Sequence, residues 1–162
     1  MDPALLTDDW LEALRRLGAA TVVGAIIGLD RELLGKPLGF RTLTVVSIAS
    51  CALTVAAVRY DMGLGGTHHE TVGRAIQGLM AGIGFLGGGV ILHTRHRHVQ
   101  GLTTAALVWL TAALGVVCGL ASWPIVAIAL MLAMIVLLVG GPLERLLVAA
   151  RRRGDIDGGR RS

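Results

Sequence analysis

Residues 102–141 read LTTAALVWLTAALGVVCGLASWPIVAIALMLAMIVLLVGG. These forty residues contain no Asp, Glu, Lys, Arg or His. A hydrocarbon core about 30 Å thick is crossed by about 20 apolar helical residues, so this stretch is long enough for two crossings. Ser122 and its neighbours are the polar break, and Pro124 stands where the first turn of a helix needs no backbone N–H. The stretch therefore predicts two helices, 102–121 and 123–140, joined by a tight hairpin in a lipid bilayer.

The same length criterion applied upstream predicts helices at 11–29, 42–58 and 72–92. The fold expected is an all-α membrane protein, a bundle of five transmembrane helices. Composition agrees: 54% of residues are hydrophobic, mean hydropathy is +0.70, and 16% are charged, against about 25% in a soluble domain. With 23 glycines and 4% aromatics, the chain suits helices that approach closely in lipid. Residues 1–141 read as one polytopic membrane domain and 142–162 as a cytoplasmic basic tail. In the tail, Leu143, Leu146, Leu147 and Ala150 recur at helical spacing before Arg151, Arg152 and Arg153. An amphipathic helix on an anionic leaflet is expected there, then disorder beyond Gly154. No cleavable signal peptide is expected, because the N-terminus is acidic where a positive region would stand.

Basic residues orient the bundle. Arg31, Lys36, Arg41, Arg95, Arg97 and the six arginines of the tail fall on one side, eleven in all; Arg15, Arg16, Arg59 and Arg74 fall on the other. Cytoplasmic segments carry the excess of Lys and Arg, which puts the N-terminus outside and the C-terminus in the cytoplasm. Opposite termini require an odd number of crossings. The net charge of +4 then reflects orientation, and no aromatic-interleaved basic stretch points to nucleic acid.

Gly82-Ile83-Gly84-Phe85-Leu86-Gly87 is a literal G-x-G-x-x-G, but a dinucleotide fingerprint needs a preceding strand and an acidic ribose ligand about 20 residues on. Here it lies in an apolar run with no acidic residue between Glu70 and Glu144. The glycines read instead as helix-packing faces: Gly24 with Gly28, Gly78 with Gly82, Gly84 with Gly88, and Gly115 with Gly119, each pair one turn apart. Gly87, Gly88 and Gly89 in succession weaken a helix by about 1 kcal/mol each relative to Ala. They permit either a discontinuous third helix lining a polar pocket or a continuous one at a crowded interface, the simpler reading.

The polar candidates are few. Asp30, Arg31 and Glu32 close the first helix, and Arg41 opens the second; if Asp30 is drawn into the bundle, Arg41 is the expected partner. Arg74 and Gln77, three apart on the third helix, are expected to face the bundle or a water-filled cavity. Thr103 and Thr104 open the fourth helix, where hydroxyl caps are expected. His93, His96 and His98, like His68 and His69, read as solvated loop residues, and no metal site or cofactor is expected. Cys51 and Cys118 read as small buried apolar groups. No nucleophile–base–acid arrangement occurs, so no enzyme is expected. A short echo relates Arg41-Thr42-Leu43-Thr44 to Gln100-Gly101-Leu102-Thr103, with Gly28 matching Gly87; a parallel repeat of two helix pairs is geometrically possible.

Four segments in order, Gly28-Leu29-Asp30-Arg31-Glu32, Gly39-Phe40-Arg41-Thr42, Gly82-Ile83-Gly84-Phe85-Leu86-Gly87-Gly88-Gly89-Val90-Ile91, and Gly101-Leu102-Thr103-Thr104-Ala105-Ala106 with Trp109, resemble the MgtC/SapB family of bacterial inner-membrane proteins. The resemblance covers roughly residues 11–133. It implies adaptation to low Mg²⁺, acid stress or life inside host phagocytes, with links to Mg²⁺ homeostasis and to restraint of the F-type ATP synthase. The candidate functional polar cluster is Asp30, Arg31, Glu32, Arg41, Arg74, Gln77, Gln100 and Thr103. This chain departs from the pattern at Asp30, where Glu is usual, at Gln100, where Arg is common, and at Gly78, where Gln is common. The soluble C-terminal domain of many members is expected to be absent.

The partners expected are the lipid bilayer, a second copy of the chain in a homodimer, and other inner-membrane proteins, with no nucleic acid. Contact with a membrane protein is the leading expectation. A small Mg²⁺ or proton transporter built on Asp30, Arg41, Arg74 and Gln77 is the alternative, and a purely structural oligomeric element is the third.

Overall fold

A computed structural model describes residues 3–63, 69–92 and 101–158, with side chains for 10–63, 70–91 and 101–141. The described residues form five helices and no strand: α1 (Pro3–Leu33), α2 (Phe40–Gly63), α3 (His69–Leu92), α4 (Leu102–Gly119) and α5 (Trp123–Gly158). Four stretches are long and apolar enough to cross a membrane: Phe40–Gly63, Glu70–Ile91, Leu102–Gly119 and Trp123–Gly141. The chain is a membrane protein of helical architecture. The expected first crossing, 11–29, is not among the four. It carries Glu12, Arg15 and Arg16, so thirteen uncharged residues remain before Asp30, about 20 Å of helix.

Residues 1–126 form one compact unit and 127–162 another. In the first, α2 and α4 pack together, and α1 and α3 each pack against both. α1 buries Ala20, Val23, Gly24, Ile27, Gly28 and Arg31, a single face at helical spacing. α2 buries Leu43, Thr44, Ser47, Ser50, Cys51, Thr54, Ala57 and Asp61 in the same manner. Ile27, Leu43, Val108 and Leu114 are the largest apolar side chains fully enclosed. Removing any of them to Ala in a packed core costs about 2–5 kcal/mol.

Glycine sets the interhelical distance. A Cβ built on Gly24 would lie 2.7 Å from the Cα of Thr44, and one on Gly28 would lie 2.7 Å from the Cα of Phe40. These positions pair in opposite order, so α1 and α2 form an antiparallel hairpin. A Cβ on Gly115 would collide with the Ser47 carbonyl, and one on Gly119 would lie 2.6 Å from the Thr54 Cβ. These pair in the same order, so α2 and α4 run parallel. Gly87 of α3 packs on Ala105 of α4, completing a second hairpin. The parallel relation of the two hairpins has the geometry expected of the short sequence echo.

The turns follow backbone chemistry. At the end of α1, Gly35 adopts φ 61°, with Gly35 N–H donating to the Glu32 carbonyl and Lys36 N–H to the Arg31 carbonyl. This Schellman motif satisfies two orphan carbonyls. The end of α4 repeats it with Ala121 at φ 55°: Ala121 N–H donates to the Cys118 carbonyl and Ser122 N–H to the Val117 carbonyl.

α3 is continuous through Gly87, Gly88 and Gly89. α5 is likewise continuous past Gly140 and past residue 154, to Gly158. The crossing expected at 123–140 corresponds to the apolar stretch Trp123–Gly141, and the helix runs on from it without a break. Gly140 and Gly141 keep helical φ, since Gly35 and Gly101 are the described glycines with positive φ, and two glycines weaken a helix without ending it.

Candidate functional site

The polar residues singled out in the sequence separate into a buried junction and an exposed face. The junction lies where the end of α1 meets the starts of α2 and α4. Arg31 is 5% exposed, and its Nη2 donates to Thr104 Oγ1 at 2.5 Å. Arg31 remains a cation, because a guanidinium is always charged in a protein. Asp30 Oδ2 and Arg31 Nε are buried without a hydrogen-bond partner among the described residues.

Glu32 points the other way. Its Oε2 accepts from Phe40 N–H at 2.9 Å, and its side chain fills the space beside Gly39. The carboxylate thereby caps the N-terminus of α2, where the first N–H groups have no helical partner and negative charge is favoured. The three consecutive residues Asp30, Arg31 and Glu32 thus serve two different helices.

Several expectations are corrected here. Arg41 is exposed and makes no ion pair with Asp30; the buried cation beside Asp30 is Arg31. Thr103 is exposed, and neither Thr103 nor Thr104 caps α4. The N-cap is Gly101, at φ 96° with no side-chain bond, and Thr104 accepts from Arg31 instead. Arg74 is exposed and pairs with Glu70 one turn earlier at 3.2 Å, so it does not enter the bundle. Gln77 is exposed as well. Both lie on the face of α3 turned away from α2 and α4. Gln100, His68, His93, His96 and His98, and the His69 side chain, lie outside the described residues.

The glycines divide in the same way. Gly24, Gly28, Gly87, Gly115 and Gly119 are buried at interfaces within the chain. Gly78, Gly82, Gly84, Gly88 and Gly89 have nothing within 4 Å of a built Cβ. Phe85, in their midst, is 83% exposed. The expected packing faces of α3 are therefore open among the described residues of the first unit.

A row of hydroxyls was not singled out in the sequence. Ser47 and Thr111 are fully buried and Thr44 nearly so, and the three hydroxyl oxygens have no partner among the described residues. Ser50 and Thr54 donate to the carbonyls of Val46 and Ser50 on their own helix. The visible signal is spacing: Thr44, Ser47, Cys51 and Thr54 share one face of α2, and Thr104 and Thr111 are seven apart on α4. Cys51 and Cys118 are both free and buried in this region. At the opposite end of α4, Arg16 Nη1 donates to the Gly119 carbonyl at 2.8 Å. Its Nε pairs with Glu12, also at 2.8 Å. Asp61, 5% exposed at the end of the α2 stripe, has Oδ1 without a partner among the described residues. Among the described residues no group of three His, Cys, Asp or Glu side chains is placed to hold a metal ion.

Residues 17–146 match the MgtC family. Protein SrpB of Synechococcus elongatus is 40% identical over 122 residues, 71% of this chain and 67% of that protein. Protein SapB of Bacillus subtilis is 37% identical over 110 residues, 67% of this chain and 47% of that protein. Protein MgtC of Salmonella typhimurium is 35% identical over 102 residues, 63% of this chain and 41% of that protein. The matched part thus spans about half or less of the length of SapB and MgtC. No solved structure matches the chain.

Proposed function

The chain belongs to the MgtC family, and from that premise we propose that it acts in adaptation to low Mg²⁺ or acid stress through contact with another protein in the bacterial inner membrane. The role is non-enzymatic, and an F-type ATP synthase subunit is the first partner to test. The observation that carries this reading is the outward face of α3. Lipid tails are as apolar as a leucine surface, so helices associate in membranes through close backbone approach and interhelical hydrogen bonds. Gly78, Gly82, Gly84, Gly88 and Gly89 leave that face open, and Gln77 supplies an exposed amide on it. Gly24 and Gly28 of α1 and Gly115 and Gly119 of α4 are consumed by the fold, whereas these are not.

Five crossings with the N-terminus outside remain the topology we propose. α1 meets α2 and α4 between Arg16 and Arg31, which supports placing it at membrane depth despite its short apolar stretch. Arg16, near its start, can keep its head at the interface while its stem packs.

Crosslinking in native membranes followed by copurification tests the proposal. A membrane partner captured by the chain and lost on Gly82→Leu supports it. Recovery of no membrane partner, including no ATP synthase subunit, rejects it. Recovery of a second copy alone would assign the face to a homodimer and reject the partner reading.

A second reading, a small transporter for Mg²⁺ or protons, is favoured by the buried unpartnered groups of Asp30, Arg31, Thr44, Ser47 and Thr111. Buried ionisable groups at membrane depth commonly mark ion pathways. Proteoliposomes under a Mg²⁺ or proton gradient decide it. Flux that Asp30→Asn abolishes would establish this reading, and absence of flux would remove it.

A further inference from the structure

A serine or threonine hydroxyl inside a helix can donate to the carbonyl one turn back on its own helix. Ser50 and Thr54 of α2 do so, to Val46 and Ser50, as does Thr21 of α1, to Leu17. Thr44, Ser47 and Thr111 do not, and their hydroxyl oxygens have no partner among the described residues. Ser47 and Thr111 are fully buried and Thr44 is 8% exposed, so solvent outside the bundle does not satisfy them either. A hydroxyl left unpaired in an apolar interior is unfavourable, and here three lie on the same stretch of the fold.

The glycine contacts show why they are near one another. A Cβ built on Gly24 of α1 would lie 3.0 Å from the Ser47 Cβ and 2.7 Å from the Thr44 Cα, and one built on Gly115 of α4 would collide with the Ser47 carbonyl. Ser47 therefore stands where three helices cross. Thr44 is three residues before it on the buried stripe of α2. Thr111 is one turn before Gly115 on the same face of α4, and α4 runs parallel to α2, so Thr111 lies at the level of Thr44. The hydroxyls that bond to their own helix on α2, those of Ser50 and Thr54, begin one turn beyond the crossing.

The chemistry of the three groups selects a ligand. Each hydroxyl both donates and accepts, so together they suit a molecule that does the same. A buried water typically makes about three hydrogen bonds, the number offered. A bare cation suits the junction poorly, since a charge at membrane depth needs a counter-charge. On α1 the next carboxylate is Asp30, six residues past Gly24 and roughly 9 Å along the helix, beside the Arg31 guanidinium. α4 carries no acidic residue.

We propose that the crossing of α1, α2 and α4 is a hydration site, at which an ordered water bridges the hydroxyls of Thr44, Ser47 and Thr111 and ties α2 to α4. The site is independent of both functional readings above, since a bound water requires neither flux nor a partner on α3.

Two measurements on the full chain test this. In thermal unfolding in mild detergent, Ser47→Ala and Thr111→Val should each lower the midpoint by about 2–4 °C, the shift expected for loss of about one hydrogen bond in a chain of this size. A raised midpoint in both would mean that the hydroxyls are unsatisfied, and would overturn the proposal. A crystal structure of the unmodified chain grown from a lipid mesophase should show solvent density within hydrogen-bond distance of at least two of the three hydroxyls. Hydroxyls bonded directly to each other or to their own helices, with no density between them, would overturn it. The structure decides alone if either variant fails to fold. Replacing choline by Na⁺ or K⁺ in the unfolding buffer distinguishes the occupant: a midpoint raised by one of these cations in the unmodified chain but not in Thr111→Val would make the ligand an ion and overturn the assignment to water.

Discussion

Arg31 Nη2 and Thr104 Oγ1 meet at 2.5 Å across 73 positions of sequence. The bond joins the last turns of the first helix to the first turn of the fourth, and so joins the two hairpins at one end. Arg16 and the Gly119 carbonyl join the same two helices at the other end. The second half of α1, from Arg16 to Arg31, is thus held to both ends of α4, with glycine contacts on α2 between them.

Thr104→Val removes the acceptor but leaves a buried guanidinium behind. A buried donor left unsatisfied costs about 1–3 kcal/mol. Arg31→Met with Thr104→Val removes both partners and should be less destabilising than Thr104→Val alone. A double-mutant cycle by thermal unfolding in detergent reads the coupling, expected at about 1–2 kcal/mol for hydrogen-bonded neighbours. Additive effects would show that the contact carries no energy.

Alanine scanning of the glycines should split into two classes. Gly115→Ala and Gly119→Ala place a Cβ against backbone or a branched side chain of α2, and overpacking of this kind costs about 1–3 kcal/mol. Gly82→Ala and Gly84→Ala meet nothing among the described residues, and each should stabilise the purified monomer by about 1 kcal/mol through helix propensity. Unfolding midpoints measured on the four single variants separate the classes, and a uniform response would contradict the packing described.

Ala121 occupies a left-handed position, φ 55°, that a residue with a Cβ adopts at a cost of roughly 1–2 kcal/mol. Gly35 fills the equivalent position after α1 without that cost. Ala121→Gly should therefore raise stability by about 1 kcal/mol, less the extra freedom glycine confers on the unfolded chain. A lowered unfolding temperature would mean that the turn is not held in this conformation.

Glu32→Ala should loosen the start of α2 without disturbing the bundle. Loss of a capping acceptor costs about 0.5–2 kcal/mol, and the effect is local to Phe40. Amide hydrogen exchange at Phe40 should accelerate, while Glu32→Gln, which keeps an acceptor oxygen, should preserve most of the protection. Unchanged exchange in Glu32→Ala would remove Glu32 from the cap.

What was legible in advance follows the range of each physical effect. Apolar runs of bilayer length depend only on local composition, and they located α2, α3, α4 and the membrane part of α5 within a few residues. The first helix was legible as a helix, but its charges make its apolar stretch short. The motif Asp30-Arg31-Glu32 was legible as a candidate site, yet its pairing was not. Which of Arg31 and Arg41 turns inward depends on the crossing of α1 over α4, a relation no local pattern encodes. The same limit applied to Thr104, whose position suggested a cap until α1 supplied a buried cation beside it.

By itself the sequence determined that the chain is helical, resides in a membrane and relies on glycine for close approach, because length, hydropathy and residue size act locally. Only the tertiary structure decided which glycines are spent inside the fold and which face outward, and which of three adjacent charges is buried. Those outcomes are set by the mutual packing of helices far apart in sequence, where a single Cβ or a single unpartnered donor determines which arrangement closes.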